Sequence, residues 1–410
     1  MTRNSRSHAD DLRGASRLAI DATRGVTSLV EAMHVTVASG PAIVGEPLAG
    51  PVRLATRPVY AMIRGVTQLV GSGIDLALAQ LAPLLGSSAP GFEREAALAV
   101  LNGVLGDHLR DGGNPLAIAM GLRHRGASLT LAPAALGRAL PRASRRIAVL
   151  IHGLCTTDLQ WARDGHDHGA ALERDLGYTP VHAHYNTGLH ISSNGRELAA
   201  LLEQLVAAWP VAVDELVLIG HSMGGLVARS ACHAGDQAGH AWRRRLGALI
   251  TLGSPHHGAP LERGGSGIDL LLGLSRYTAP FGQLGRIRSA GITDLRFGNV
   301  LDEHWHGLDR FARGGDRRRP LPLPSDVPCY AIAGTLVSRT GRALPGDGLV
   351  PVASAFGLHA DPALTLAFPD AHRWLAAGTG HVGLLGAPAV YDTIRAWLSS
   401  PRNGAAPGAS

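Results

Sequence analysis

The sequence predicts an α/β fold: a mostly parallel sheet flanked by helices, with an inserted cap and a helical N-terminal region. Three observations predict it. From about Ala127 onward, short β-rich runs alternate with stretches of helical periodicity, the pattern that builds a parallel sheet. Residues from about 18 to 122 show helical spacing without strand alternation. The long interval from Gly258 to Pro324 contains no clear strand.

In the N-terminal region, residues 1–126, apolar side chains recur at helical intervals in Ile20, Val26, Leu29, Val30 and Met33, and again in Ala96, Val100, Leu101, Val104 and Leu105. The segment Arg24-Gly-Val-Thr-Ser-Leu-Val30 recurs nearly intact as Arg64-Gly-Val-Thr-Gln-Leu-Val70, the copies being separated by Gly/Pro-rich residues 40–58. Two related amphipathic helices are expected. Such helices could meet lipid or a partner protein. Packing on each other or on the following domain is the favoured reading, because basic residues do not line one face densely.

The next domain, 127–400, should contain strands at Ile147–Ile151, Val181–Tyr185, Leu216–Ile219, Ala248–Leu252, Cys329–Ala333 and Leu364–Phe368. Helices are expected over Gly195–Ala208 and Pro388–Leu398. The strandless interval 258–324, with its apolar run Ile268–Leu274, reads as a cap, since long insertions in such sheets usually cover a site. Residues 401–410 read as a disordered tail.

At 410 residues and 45% hydrophobic content, the chain has enough apolar material for a large core. Its formal net charge is +6, and all 38 of its Lys-plus-Arg side chains are arginine. These are scattered except at Arg243–Arg245 and Arg317–Arg319, with no interleaved aromatic platform, so no nucleic-acid partner is expected. Cys155, Cys232 and Cys329 are odd in number and widely spaced, which implies no disulfide framework and fits a reducing compartment. The start of the sequence lacks the apolar segment of a signal peptide, and no run approaches the ~18 apolar residues that span a bilayer. A cytoplasmic location is expected, with peripheral membrane contact through the N-terminal helices left open.

The chemistry begins at Gly220-His-Ser-Met-Gly224, which follows the apolar run Leu216–Ile219 and opens a helical stretch. A serine between two glycines at a strand-to-helix turn is a nucleophile elbow: the turn is strained, and small neighbours let the two elements approach. Ser222 is the expected nucleophile. A serine hydroxyl needs a histidine to take its proton and a carboxylate to orient that histidine. Asp347, in the turn Gly346-Asp-Gly-Leu-Val350, is the expected acid, with Asp326 and Asp370 as substitutes. His381, on a glycine-flanked loop before the last helix, is preferred as the base over His372. The oxyanion of an acyl-transfer intermediate needs two N–H donors. Met223, at the start of the helix, supplies one, and Leu154 in the turn His152-Gly-Leu-Cys155 supplies the other.

Two competing sites are weaker. His166, Asp167, His168, His182 and His184 can be drawn as a metal cluster, but their spacing does not support one, so no metal is expected. Cys155 has no elbow around it and reads as a small buried filler.

Together with Tyr185–Gly195 and Gly253-Ser-Pro-His-His-Gly258, these motifs resemble the α/β-hydrolase superfamily over about residues 127–400. Within it the pattern is similar to bacterial esterases and lipases related to GPI inositol-deacylases. The resemblance implies a cofactor-free Ser-Asp-His mechanism, an acyl-enzyme intermediate and an acyl ester or lipid substrate. An acyltransferase or thioesterase with the same triad, and a non-catalytic lipid- or protein-binding scaffold, are the alternatives.

Overall fold

The computed structural model describes residues 14, 91–259, 288–310, 315–337 and 346–400. The Arg24 and Arg64 repeats, the Ile268–Leu274 run and the 401–410 tail lie outside the described residues. In chain order the elements begin with α1 (Gly91–Asp111), β1 (Gly121–His124), β2 (Ala127–Ser128), α2 (Pro133–Ala139) and β3 (Arg146–Ile151). A small hairpin of β4 (Ala162–Arg163) and β5 (His166–Asp167) leads to α3 (His168–Leu176), β6 (Thr179–His184) and α4 (Ile191–Ala208). Then follow β7 (Glu215–His221), α5 (Met223–Gln237), β8 (Leu246–Leu252), α6 (Ala290–Asp294) and β9 (Cys329–Thr335). The chain closes with α7 (Val352–Ala355), β10 (Arg373–Ala377) and α8 (Pro388–Ser399).

Eight of these strands form one sheet in the order β10-β9-β8-β7-β3-β6-β1-β2. Strands β6, β3, β7, β8, β9 and β10 are parallel, and β1 runs antiparallel to β6 and β2. The central strands are apolar on both faces because both faces are covered. Ile147, Val149 and Ile151 of β3 and Leu216 and Leu218 of β7 point into one core with α1, α4 and α5. Ala148, Leu150, Val217 and Ile219 point into the other, with α3 and α8. Each fully buried Val, Leu or Ile here contributes about 1.5–3 kcal/mol relative to exposure, and a one-residue slip would exchange the two faces.

The sheet reaches back across the expected division at residue 126. β1 pairs with β6 through Gly121↔His184 and Arg123↔His182. Leu98, Leu101, Val104 and Leu105 of α1 enter the same core as β3 and α5. With a single apolar residue, Gly-Leu-Arg-His gave no strand signal.

The expected strand Leu364–Phe368 is not in the sheet; the last strand is β10. Its period-2 pattern is nevertheless real, since Leu366 and Phe368 are buried while Thr365 and Ala367 are exposed. The segment is extended and packs as a cover, with Leu366 N–H donating to the Gly357 carbonyl at 2.8 Å. Alternation reports half-burial, and a single extended cover meets that condition as well as a strand does. Within the interval 258–324, the described residues hold α6 and a short 3₁₀ turn at Asp302–His304, and no strand. Among the described residues no helix is long and apolar enough to cross a membrane.

Candidate active site

Ser222 stands between β7 and α5 with φ +54° and ψ −125°, a conformation that a side-chain-bearing residue rarely adopts. Surrounding bonds hold it there: its N–H donates to the Leu252 carbonyl at 2.8 Å, and its carbonyl accepts from Gly225 N–H at 3.1 Å. The glycine at 224 is needed for close approach. A Cβ added there would overlap the Ile151 carbonyl and lie 2.6 Å from that of His152. The start of α5 is thereby pressed against the end of β3, where the turn from His152 begins.

Asp347 and His381 come together on the loops after β9 and β10. His381 Nδ1 lies 2.7 Å from Asp347 Oδ2, and its backbone N–H donates to the Asp347 carbonyl at 3.0 Å. The other carboxylate oxygen, Oδ1, accepts from Leu349 and Val350 N–H at 3.0 and 2.8 Å. Burial by itself would raise the Asp347 pKa. The His381 hydrogen bond and the two amides outweigh that and hold it below the ordinary carboxylate value, so the group is ionised. An ionised acceptor at Nδ1 keeps the proton there and leaves Nε2 as the basic nitrogen, the state a general base requires.

Serine and histidine loops are fastened together by a group that sequence reasoning passed over. His221, one residue before Ser222, bonds through Nε2 to the His381 carbonyl at 3.0 Å, and the two imidazoles are 4.8 Å apart. Burial, then the proximity of His381, drives the His221 pKa down to about 3, so this imidazole is neutral and acts as the N–H donor. A second neutral imidazole works in the same loop. His168, its pKa lowered to about 4 mainly by burial, bonds through Nε2 to the Leu384 carbonyl at 2.9 Å and through Nδ1 to His166 Nε2 at 2.8 Å. With Nε2 donating to a carbonyl, Nδ1 accepts and His166 donates. Their available signal was position alone, His221 lying inside the elbow and His168 at a helix start.

The turn expected to supply Leu154 lies against the serine: a Cβ on Gly153 would be 3.0 Å from Ser222 Cβ. Tyr185 Oη donates to the His152 carbonyl at 2.7 Å, and Thr156 Oγ1 donates to that of Gly153 at 2.8 Å. Met223 opens α5, so its N–H has no helical carbonyl four residues back. Leu154, Met223 and Ser222 are all buried. The arrangement brings a serine, a histidine–carboxylate pair and two backbone amides to one end of the parallel strands, and it can support general-base-assisted acyl transfer.

Other candidates are drawn elsewhere. His372 bonds through Nδ1 to the Cys329 carbonyl at 3.1 Å and packs on Tyr330, at the opposite end of the sheet. Asp326 pairs with Arg243 at 3.2 Å, and Asp370 pairs with Arg373. Among the described residues, no group of three or more His, Cys, Asp or Glu side chains is arranged to hold a metal ion. Cys155 is buried, and burial pushes its thiol up to about 12, which keeps it protonated at neutral pH.

The sequence profile of a family described as PGAP1-like alpha/beta domain matches residues 198–318. A triacylglycerol lipase of Burkholderia plantarii is 29% identical over an alignment of 154 residues that covers 35% of this chain and 38% of that protein's length. Among solved structures, the mature form of Bacillus licheniformis lipase BlEst2 is 17% identical and has a TM-score of 0.40, covering 62% of this chain and 91% of that one. Aspergillus fumigatus lipase B is 12% identical with a TM-score of 0.39, covering 66% of this chain and 54% of that one. The chain resembles α/β-hydrolase esterases and lipases.

Proposed function

We propose that this protein is a serine hydrolase that cleaves carboxylic esters with lipophilic acyl groups. The observation that carries this reading is the buried His381–Asp347 pair at 2.7 Å, fastened through His221 to the strained Ser222. In the proposed cycle His381 Nε2 takes the Ser222 hydroxyl proton as Oγ forms a bond to the ester carbonyl carbon. The resulting oxyanion is met by the Leu154 and Met223 N–H groups. When the tetrahedral intermediate collapses, the bond to the alcohol oxygen breaks and His381 returns the proton to it. Water, deprotonated by His381, then attacks the acyl-enzyme, and a second collapse releases the acid and restores Ser222. These steps use side chains and water alone, so the proposal includes no cofactor. Asp347 stays ionised throughout and stabilises the imidazolium.

The resemblance to a triacylglycerol lipase supports an acyl ester as substrate. The test is turnover of p-nitrophenyl esters of increasing chain length together with fluorophosphonate labelling, wild type beside Ser222→Ala. Ester turnover and labelling that both disappear in Ser222→Ala are expected. Undiminished labelling of the variant would remove Ser222 from its role, and release of a transfer product in place of acid when an alcohol is added would reassign the enzyme as an acyltransferase.

A further inference from the structure

Helix α1 precedes the expected hydrolase domain in sequence, yet every residue from Ala96 to Gly106 is buried. A helix buried on all faces is enclosed by the fold and is no surface amphipath. What encloses it is informative. Gly103 faces Cys155, where a Cβ would overlap the sulfur and lie 3.1 Å from the Cys155 Cα and N. One turn on, the Gly106 carbonyl accepts from Asn186 Nδ2 at 2.9 Å. The Gly103 carbonyl also accepts from Ser289 Oγ at 2.6 Å, and Asp107 accepts from Ala290 N–H at 2.9 Å.

Cys155 is the residue after Leu154, and it has φ +57°, the left-handed region that a side chain disfavours. Two contacts hold it there: the Gly103 notch receives its sulfur, and Thr187 Oγ1 accepts from its N–H at 3.2 Å. On the other side of Leu154, the Gly153 carbonyl is held by Thr156 Oγ1. The Leu154 peptide is thereby fixed from both flanks, and one of the fixings comes from α1.

The geometry points to α1 as a positioning element of the oxyanion site: the Gly103 notch and Thr187 together hold Cys155 in the left-handed conformation that aims the Leu154 N–H. This rests on the ester-hydrolase reading above. Cys155 acts as a knob and performs no chemistry, and Gly103 and Thr187 are positioning residues. A displaced oxyanion donor weakens transition-state stabilisation while leaving ground-state binding nearly unchanged, so the effect belongs in kcat.

The experiment compares wild type, Gly103→Ala, Gly103→Ala/Cys155→Gly and Thr187→Val in the full chain. Turnover of the best p-nitrophenyl ester is normalised to end-point fluorophosphonate labelling, so that only folded sites are counted. Gly103→Ala should lower kcat by roughly tenfold or more with KM within about twofold, because the methyl drives Cys155 off its position. Glycine at 155 removes the sulfur and accepts the positive φ, so the double variant should recover most of that loss. Thr187→Val removes the amide acceptor without overfilling the notch, and it should lower kcat several-fold even where Gly103→Ala fails to fold. The acid limb of the pH–rate profile should be unmoved in all variants, since the His381–Asp347 pair is not touched. Wild-type kcat in Thr187→Val overturns the proposal, as does a foldable Gly103→Ala with wild-type kcat or no recovery in the double variant. An inert wild type that does not label at Ser222 defeats the underlying hydrolase reading, whereas an active wild type beside indifferent variants defeats this proposal alone.

Discussion

Replacing Asp347 by Asn separates the charge of the acid from the shape of its loop. In the native site, Oδ1 accepts from the Leu349 and Val350 amides and Oδ2 lies 2.7 Å from His381 Nδ1. An asparagine can keep the first pair of bonds through its carbonyl oxygen, so the turn should persist. Its amide then faces Nδ1 as a donor, which favours the imidazole tautomer with the proton on Nε2, the wrong atom for accepting from serine. The lost charge adds to this. An imidazolium and a carboxylate with centres about 4 Å apart at an effective dielectric of about 20 attract by about 4 kcal/mol, equivalent to roughly a thousandfold in rate. The expected outcome is a kcat lower by about a thousandfold, KM changed by less than about threefold and a cooperative melt close to that of wild type. Ester turnover per folded molecule, with folding checked by circular dichroism, measures it. A folded Asp347→Asn retaining more than about a tenth of wild-type kcat would refute the role of this carboxylate.

Gly224→Ala places a methyl against the Ile151 and His152 carbonyls, with the latter only 2.6 Å from the new carbon, and Ile151, the last residue of β3, cannot move without disturbing the sheet. It should destabilise the fold by about 1–3 kcal/mol and depress turnover of the protein that remains folded, as read by denaturant melts and initial rates; unchanged melting and turnover would show that the elbow tolerates a side chain at 224. Acid should lower the stability of the fold progressively below about pH 6.5. His221, His168 and His152 sit near 3, 4 and 4 in the fold, each lowered chiefly by burial from an ordinary 6.5. Below pH 6.5 the unfolded chain binds protons that the native state refuses. Stability therefore falls with pH down to about 4, by up to about 1.4 kcal/mol per pH unit for each histidine, and levels off above 6.5. Urea melts of His168→Gln should show a shallower slope than wild type between pH 4 and 6, and an identical slope would sink the assignment.

The parts of the molecule legible in the sequence were those with a local signature. The runs at 147–151, 216–219, 248–252 and 329–333 lie within β3, β7, β8 and β9, because strands covered on both faces leave near-continuous apolar runs. The elbow and the Asp347 turn were visible as glycine spacing. What escaped notice has its cause outside its own segment. β1 exists because β6 offers it an edge, and Gly103 matters because Cys155 fills the space it leaves. His221 is an unspecified position of the five-residue motif, yet its nitrogen reaches the carbonyl of a residue 160 positions away. Contacts of that separation leave no trace in periodicity or composition.

The neutrality of His221 bears on the proposed chemistry, since this ring sits beside the one that becomes charged. A permanently charged donor could also bond the His381 carbonyl. With its charge 4.8 Å from the His381 ring, however, it would oppose formation of the imidazolium by about 3 kcal/mol at an effective dielectric of about 20. That is more than a hundredfold in rate. Burial resolves the conflict by removing the charge while leaving the N–H, and His168 serves the Leu384 carbonyl in the same manner. The loop bearing the proposed base is thus tied down by hydrogen bonds that add no field of a full charge. A lysine or arginine at 221 that preserved the bond would be expected to slow turnover for electrostatic reasons alone.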